Sequence, residues 1–413
     1  MPHQRFRKFN TRDVYPGGEL DNDMCWGVRA GSRLFLRGQT GFDLDQTFVG
    51  HGDPAAQADQ AMKNAKVLLE EMGGSLQDIT KVTTYLTDRA YRPEVYSTVE
   101  QHLAGIPRAG TGLVVNGLAL AQMNVEIDIE AVIAPPGRPH ERTRTHTTRN
   151  WFSQGFDWVG AQVVKTEDEI YLRGQTGSRL DGSGMASRGY GVADAEAQAD
   201  LALQNARFLL EEAGSSLNDV CKLRVYIADR AYREVVYRQL GRHFGDVHPA
   251  STGLIIRAFA RPEILVEIDM AVVLSKGTPH TRFRKFETKD WYASSQKLDA
   301  RFCMAVRAGD RIFLRGQTGH TLDGTLVGSG DPAAQAHQAM ENVKVLLEEA
   351  GGRMTDICKV TTYLTDRAFR TPVYRAMGEH LRGIHPVGTG LVVDGLATPD
   401  MLVEIDVEAV IEQ

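Results

Sequence analysis

Arg37-Gly38-Gln39-Thr40-Gly41 recurs at 173–177 and again at 315–319. The three glutamines stand 136 and 142 residues apart. Three other markers keep nearly the same spacing. Val-Glu-Ile-Asp lies at 125–128, 266–269 and 403–406; Thr-Gly-Leu begins at Thr111, Thr252 and Thr389; Pro-His begins at Pro2, Pro139 and Pro279. Solenoid repeats run to about 20–50 residues, so a period this long marks a whole folding unit. The 413 residues divide into three copies of that unit, 1–138, 139–278 and 279–413, with linker-like stretches at 134–138 and 275–278. Copies one and three are close relatives that share Gly-Asp-Pro-Ala-Ala-Gln-Ala and Lys-Val-Thr-Thr-Tyr-Leu-Thr-Asp-Arg-Ala. Copy two diverges, with Leu223-Arg224-Val225-Tyr226 in the second of these places.

Composition narrows the function classes. With 42% hydrophobic and 24% charged residues the chain reads as globular, and charges interrupt every long apolar run, so no membrane span is expected. A net charge of −6 argues against a nucleic-acid partner, which needs a concentrated positive surface. The opening residues lack the apolar core of a secretory signal, and four scattered cysteines make no disulfide framework. A cytoplasmic protein with reduced thiols is expected. Basic runs near the unit starts (Arg5, Arg7 and Lys8; Arg142, Arg144 and Arg149) read as solvated strand faces, and His3, His140 and His280 as marks of the joints.

Each copy alternates strand and helix signals. Leu34–Leu36 is a short apolar run closed by Gly38. Asp53 before Pro54 is a helix start, followed by Ala61, Ala65, Leu68 and Met72 at helical spacing and a Gly73-Gly74 stop. Val82–Leu86 reads as a strand, 95–103 as a second helix, and 113–115 and 125–129 as further strands. The predicted fold class is α+β, with helices on one face of a sheet. In the last strand Val125, Ile127 and Ile129 alternate with Glu126, Asp128 and Glu130, so the acidic set faces away from the helices. A bare sheet face needs cover, and three linked copies can cover one another. The sheets are expected to pack around a pseudo-threefold axis with the helices outside. One chain would then be a complete covalent pseudo-trimer, free to dimerise further through its outer surfaces.

The Gly-Gln after a short strand, the Asp-Ile/Val-x-Lys and Tyr-Leu/Ile-x-Asp strand, and the Val-Glu-Ile-Asp strand together resemble the RidA/YjgF family, whose units are chorismate-mutase-like. The resemblance covers about nine-tenths of each copy. It implies a fused trimer with a ligand pocket at each unit interface, and hydrolysis of reactive enamines or imines to a keto acid and ammonia. The family's glutamate, which helps activate water, matches Glu126, Glu267 and Glu404. The family's carboxylate-binding arginine falls at Gly110, Ser251 and Gly388 and is absent. Arg37, Arg173 and Arg315 stand instead where a serine usually precedes Gly-Gln, Tyr96, Tyr237 and Tyr374 replace a pocket asparagine, and Met24-Cys25, Gly160-Ala161 and Phe302-Cys303 match a tyrosine-serine pair.

The three glutamates are therefore the candidate catalytic acid or base, if burial raises their pKa. The arginines are candidates for holding a small anionic molecule, because the guanidinium fork binds planar anions bidentately. Their alternative is a bridge to Glu126 or Asp128 of a neighbouring unit. The tyrosines would line the site, and Cys25 and Cys303 are candidate contacts that could equally be buried packing groups. Asp128, Asp269 and Asp406 read as structural or axial. No metal site and no organic cofactor are expected. The leading expectation is a hydrolase or deaminase of a C–N bond in a small anionic enamine, imine or amide-like compound. A ring-opening amidohydrolase and a non-catalytic sensor or scaffold are the alternatives. The pockets should be unequal, because copy two has Ala161, Gly160 and Ser251 at pocket positions.

Overall fold

In unit one, six strands run β1 (Gln4–Asn10), β2 (Asp23–Ala30), β3 (Arg33–Leu36), β4 (Ile79–Leu86), β5 (Ala109–Val114) and β6 (Val125–Val132). Their order across the sheet is β1-β2-β3-β6-β4-β5, with only β4 and β5 parallel. Two helices cover one face, α1 (Pro54–Glu71) and α2 (Arg92–Leu103); α2 is the crossover that parallel β4 and β5 require. Units two and three repeat this plan, with helices Val192–Glu212 and Arg233–Phe244, then Pro332–Glu349 and Arg370–Leu381. The structure, a computed structural model, describes residues 2–15, 19–148, 156, 158–291 and 296–412. Arg149 lies outside them.

Local chemistry sets the elements. Asp53 caps α1 by accepting from Ala56 N–H at 2.9 Å, with Pro54 in the first turn. Ala58, Ala61, Ala65 and Leu68 of α1 are fully buried against Val125, Ile127 and Ile129 of β6. The acidic set of β6 faces the other way, into the centre of the molecule. The strands β1 and β2 carry too little alternation to be read from sequence, yet they form the outer part of the sheet.

The three sheets close a ring. Gly38 N–H donates to Gly388 O, Gly174 to Gly110 O and Gly316 to Ser251 O, so each unit bonds to the next in one rotational sense. On the axis Lys81 pairs with Asp269 at 2.9 Å, Lys222 with Asp406 at 2.7 Å and Lys359 with Asp128 at 2.8 Å. Thr111, Thr252 and Thr389 donate their hydroxyls to the same aspartates. The aspartates are thus axial and structural, and their charges are neutralised by lysine. Among the described residues no cluster of His, Cys, Asp and Glu is arranged to hold a metal ion.

The basic runs are not simply solvated. Arg5 donates to Thr355 O, Ile357 O and His385 O of unit three. Arg142 grips Gln77 O, Ile79 O and Pro107 O of unit one, and Arg282 grips Asn218 O, Val220 O and His248 O of unit two. Two residues on, Arg7, Arg144 and Arg284 take left-handed φ values of 50°, 49° and 51° and pair with Glu71, Glu212 and Glu349 of their own units. The two arginines have separate jobs, one clamping the neighbour and one its own helix.

Removing one partner of a buried pair strands the other charge, at a cost of about 3–5 kcal/mol. Lys81→Met should lower the unfolding free energy read from a urea titration by that much, and adding Asp269→Asn should recover most of the loss. A loss below about 1 kcal/mol in the single variant would show that the axial pairs do not hold the ring.

Candidate active site between units

Two of the cavities between units contain one of the candidate glutamates, one joining units three and one, the other units two and three. In the first, unit one supplies Glu126, Arg37, Met24 and Met123, and unit three supplies Arg370, Tyr374 and Gly388. In the second, unit three supplies Glu404, Arg315, Phe302 and Met401, and unit two supplies Arg233, Tyr237 and Ser251. Their empty space, mouth included, is about 410 and 360 Å³. That is the lower end of the range for a small-molecule site.

The repeated motifs explain how the carboxyl is placed. Gln39 exchanges backbone hydrogen bonds with Ile127 (2.9 and 2.7 Å), which lays Gly38 beside Glu126. A Cβ at Gly38 would collide with the Glu126 carboxyl oxygen, and the same holds for Gly174 with Glu267 and Gly316 with Glu404. The glycine of Arg-Gly-Gln is therefore room for the carboxyl. Gln57 of α1 holds the approach to β6, accepting from Asn124 N–H at 2.8 Å and donating to Gln122 O at 3.0 Å. The second glycine, in Thr-Gly-Leu, makes room for the tyrosine: a Cβ at Gly112, Gly253 or Gly390 would strike the hydroxyl of Tyr96, Tyr237 or Tyr374.

Burial pushes Glu126, Glu267 and Glu404 each up to about 8, and the aspartate two residues on adds to the shift. The nearby Arg37, Arg173 and Arg315 offset it only in part. At neutral pH these carboxyls hold their protons, which suits them to give a proton before taking one.

Among the described residues Arg37 makes no ion pair with an acid. Its guanidinium lies 4.9 Å from the Trp26 ring, 5.3 Å from Phe9 and 5.7 Å from Tyr15, and it donates to the Tyr15 hydroxyl. Arg315 lies 5.1 Å from Trp291 and 5.4 Å from Phe286. Aromatic faces pack against both cations. The cysteines fall elsewhere. Cys25 and Cys303 point to the opposite side of their strands from Met24 and Phe302, into small apolar clusters, and burial pushes both thiols up to about 12. They are packing groups and line neither cavity, which corrects the expectation that they contact substrate.

Sequence reasoning missed a second arginine. Arg92, Arg233 and Arg370 begin the second helix of each unit, and each lies 4.0–4.5 Å over the ring of the tyrosine four residues later. Arg233 and Arg370 enter their cavities from the wall facing the glutamate. The signal available in sequence was the Arg-x-x-x-Tyr spacing in all three copies.

The interface of units one and two is built differently. Trp158 stands where Asn22 and Ala300 stand in the other units, each carbonyl accepting from the equivalent threonine N–H. Its ring lies 4.8 Å from Tyr96 and 3.8 Å from the Arg108 guanidinium, and Phe156 adds a second ring 5.5 Å from Tyr96. His146 replaces Phe9 and Phe286, opposite Gly160. Glu267, Arg173 and Tyr96 therefore meet beside two further aromatic side chains.

The raised carboxyls have a consequence for stability. Between about pH 4.5 and 8 the folded chain keeps protons that the unfolded chain has released, so stability falls as pH rises through that window. Urea unfolding followed from pH 5 to 9 should show that decline. The triple variant Glu126→Gln, Glu267→Gln, Glu404→Gln should lose most of the slope, and an unchanged slope would refute the assignment. A second check is steric. Gly38→Ala should cost about 1–3 kcal/mol by overpacking, and Glu126→Ala should cancel most of that loss in a double-mutant cycle.

The family model described as Endoribonuclease L-PSP matches residues 24–133, 160–274 and 294–411. RutC family protein PH0854 of Pyrococcus horikoshii is 31% identical over 105 residues, which cover 25% of this chain and 82% of that protein. RutC family protein PYRAB12510 of Pyrococcus abyssi is 30% identical over the same length and the same shares of each chain. A solved structure titled as a chorismatase shares the fold across 81% of this chain and 93% of its own, with a TM-score of 0.55 and 15% identity. Matched three times along most of its length, the chain belongs to the Endoribonuclease L-PSP family, the family of RidA and YjgF, as three units in one polypeptide.

Proposed function

We propose that the chain is a hydrolase of a C–N bond in a small anionic enamine or imine, working in the cavities between its units. The observation that carries this reading is a buried carboxyl, protonated near neutrality, with an arginine on its own unit and a second arginine on the neighbouring one. Arg370 or Arg233 would take the substrate carboxylate, with Arg37 or Arg315 as a second cation. Glu126 or Glu404 gives its proton to the enamine carbon, leaving an iminium ion. The carboxylate then takes a proton from water as the water oxygen bonds to the iminium carbon. The new hydroxyl passes its proton to nitrogen as the C–N bond breaks, and a keto acid and ammonia leave. Glutamate ends protonated, and water is the sole co-reactant.

An RNA substrate, which the family's description suggests, suits these cavities poorly. An empty space of about 360–410 Å³, mouth included, is the size of a single small molecule, and a net charge of −6 gives a polyanion no general attraction. A cyclic amide would use the same groups, and a sensor would bind without turnover.

Ammonia release from 2-iminopropanoate and from a panel of cyclic amides separates these readings. The expected result is release from the imine or enamine, with a rate that falls above about pH 8 as the carboxyl loses its proton. Glu126→Gln with Glu404→Gln should lower the rate by about 10²–10⁴-fold. Full activity in that double variant, or binding with no ammonia from any compound, would overturn the proposal.

A further inference from the structure

The two cavities share the carboxyl, the paired arginines and the tyrosine, and their strands differ where Met24 faces Gly388 in one and Phe302 faces Ser251 in the other. The strand Ala250–Ile255 alternates: Thr252 turns to the axis and bonds Asp406, while Ser251 and Gly253 turn to the cavity. The equivalent of Ser251 is Gly388 in the cavity of units three and one. Ser251 is 6% exposed, and its hydroxyl oxygen has no hydrogen-bond partner. A buried hydroxyl left unpaired costs about 1–3 kcal/mol, so it calls for an explanation in strain, function or a missing partner. Phe302 and Tyr237 line the same cavity, their ring centroids 5.9 Å apart. In the other cavity the mirrored contrast holds. Gly388 has no side chain, the Met24 thioether methyl packs against it, and the unpaired buried polar atom is Nε of Arg370.

We infer that Ser251 is a specificity-determining contact, so that one chain carries two sites of the same chemistry for two ligand classes. The cavity of units two and three takes a small carboxylate with a further hydroxyl or carbonyl group, which Ser251 bonds. The cavity of units three and one takes a small carboxylate with a purely apolar tail, which lies against Met24. This rests on the reading of both cavities as sites for small anions. It also gives a physical meaning to the fusion, because three identical chains could not hold serine at one interface and glycine at another.

The cavities have separate reporters. Met401 lines the cavity of units two and three, and Met24 and Met123 line that of units three and one. With the methionine methyls labelled with carbon-13, the full chain is titrated with 3-hydroxypyruvate and with 2-oxobutanoate, two keto acids that differ in tail polarity. Hydroxypyruvate should move Met401 at lower concentration than Met24 and Met123, and oxobutanoate should do the reverse. Ser251→Gly should weaken hydroxypyruvate at Met401 by about 3- to 10-fold, the worth of one neutral hydrogen bond, and leave Met24 and Met123 unchanged. Ser251→Ala, which keeps the strand's Cβ, should do the same. Titrations at Met401 that neither variant alters would overturn the inference while leaving the anion sites standing. No movement at any of the three methyls with either acid would overturn the anion sites themselves, and the inference with them.

Discussion

Each of three axial lysines gives its charge to an aspartate of the next unit, and the ring depends on that cycle. A lysine and an aspartate each less than a tenth exposed cannot stay charged alone, so every unit needs a neighbour on both sides. Directed pairing of this kind, one to two, two to three and three to one, is a heterologous contact that closes after three steps. The same strand that sends the aspartate to the axis sends a glutamate, two residues earlier, to the interface cavity. The aspartate's charge helps keep that glutamate protonated. Assembly and chemistry are therefore coupled through one four-residue motif.

The divergence of copy two has a physical pattern on the axis. Arg224 stands where the other units have Thr83 and Thr361, and Ala271 stands where they have Glu130 and Glu408. The added cation reaches across to Asp406 at 3.2 Å and to Glu408. A symmetric trimer would place three arginines there, side by side in a buried space. One arginine among three units is a substitution that only a fused chain can hold without like-charge crowding.

Much of this was legible in sequence because it rests on short periodicities. The triple repeat, the cap at Asp53 and the two-faced Val-Glu-Ile-Asp strand all follow from local rules, and the structure realises them. What escaped depends on a neighbour. Arg370 reads as an ordinary helix-start arginine until unit one is laid against it. Arg5 reads as a solvated cation until the carbonyls of unit three are in reach. Cys25 was assigned to the cavity by its match to a pocket serine, but strand alternation gives that side to Met24. At Gly388 the strand offers the cavity no side chain, and Arg370 reaches it from a helix of the same unit.

The joints also carry a consequence. His140 bonds Val132 O at 2.6 Å and His280 bonds Val273 O at 2.7 Å, so each linker folds back on the strand it leaves. His3 occupies the corresponding place beside the end of the third unit, where its backbone N–H donates to Glu412 at 2.9 Å. Residues 3 and 412 thus face each other across a gap that a linker spans elsewhere in the ring. The ring has three matching seams, and two of them are spanned by the linkers at 134–138 and 275–278. A circular permutant joined across residues 3 and 412 and opened within 134–138 would present the same axis, the same clamps and the same cavities.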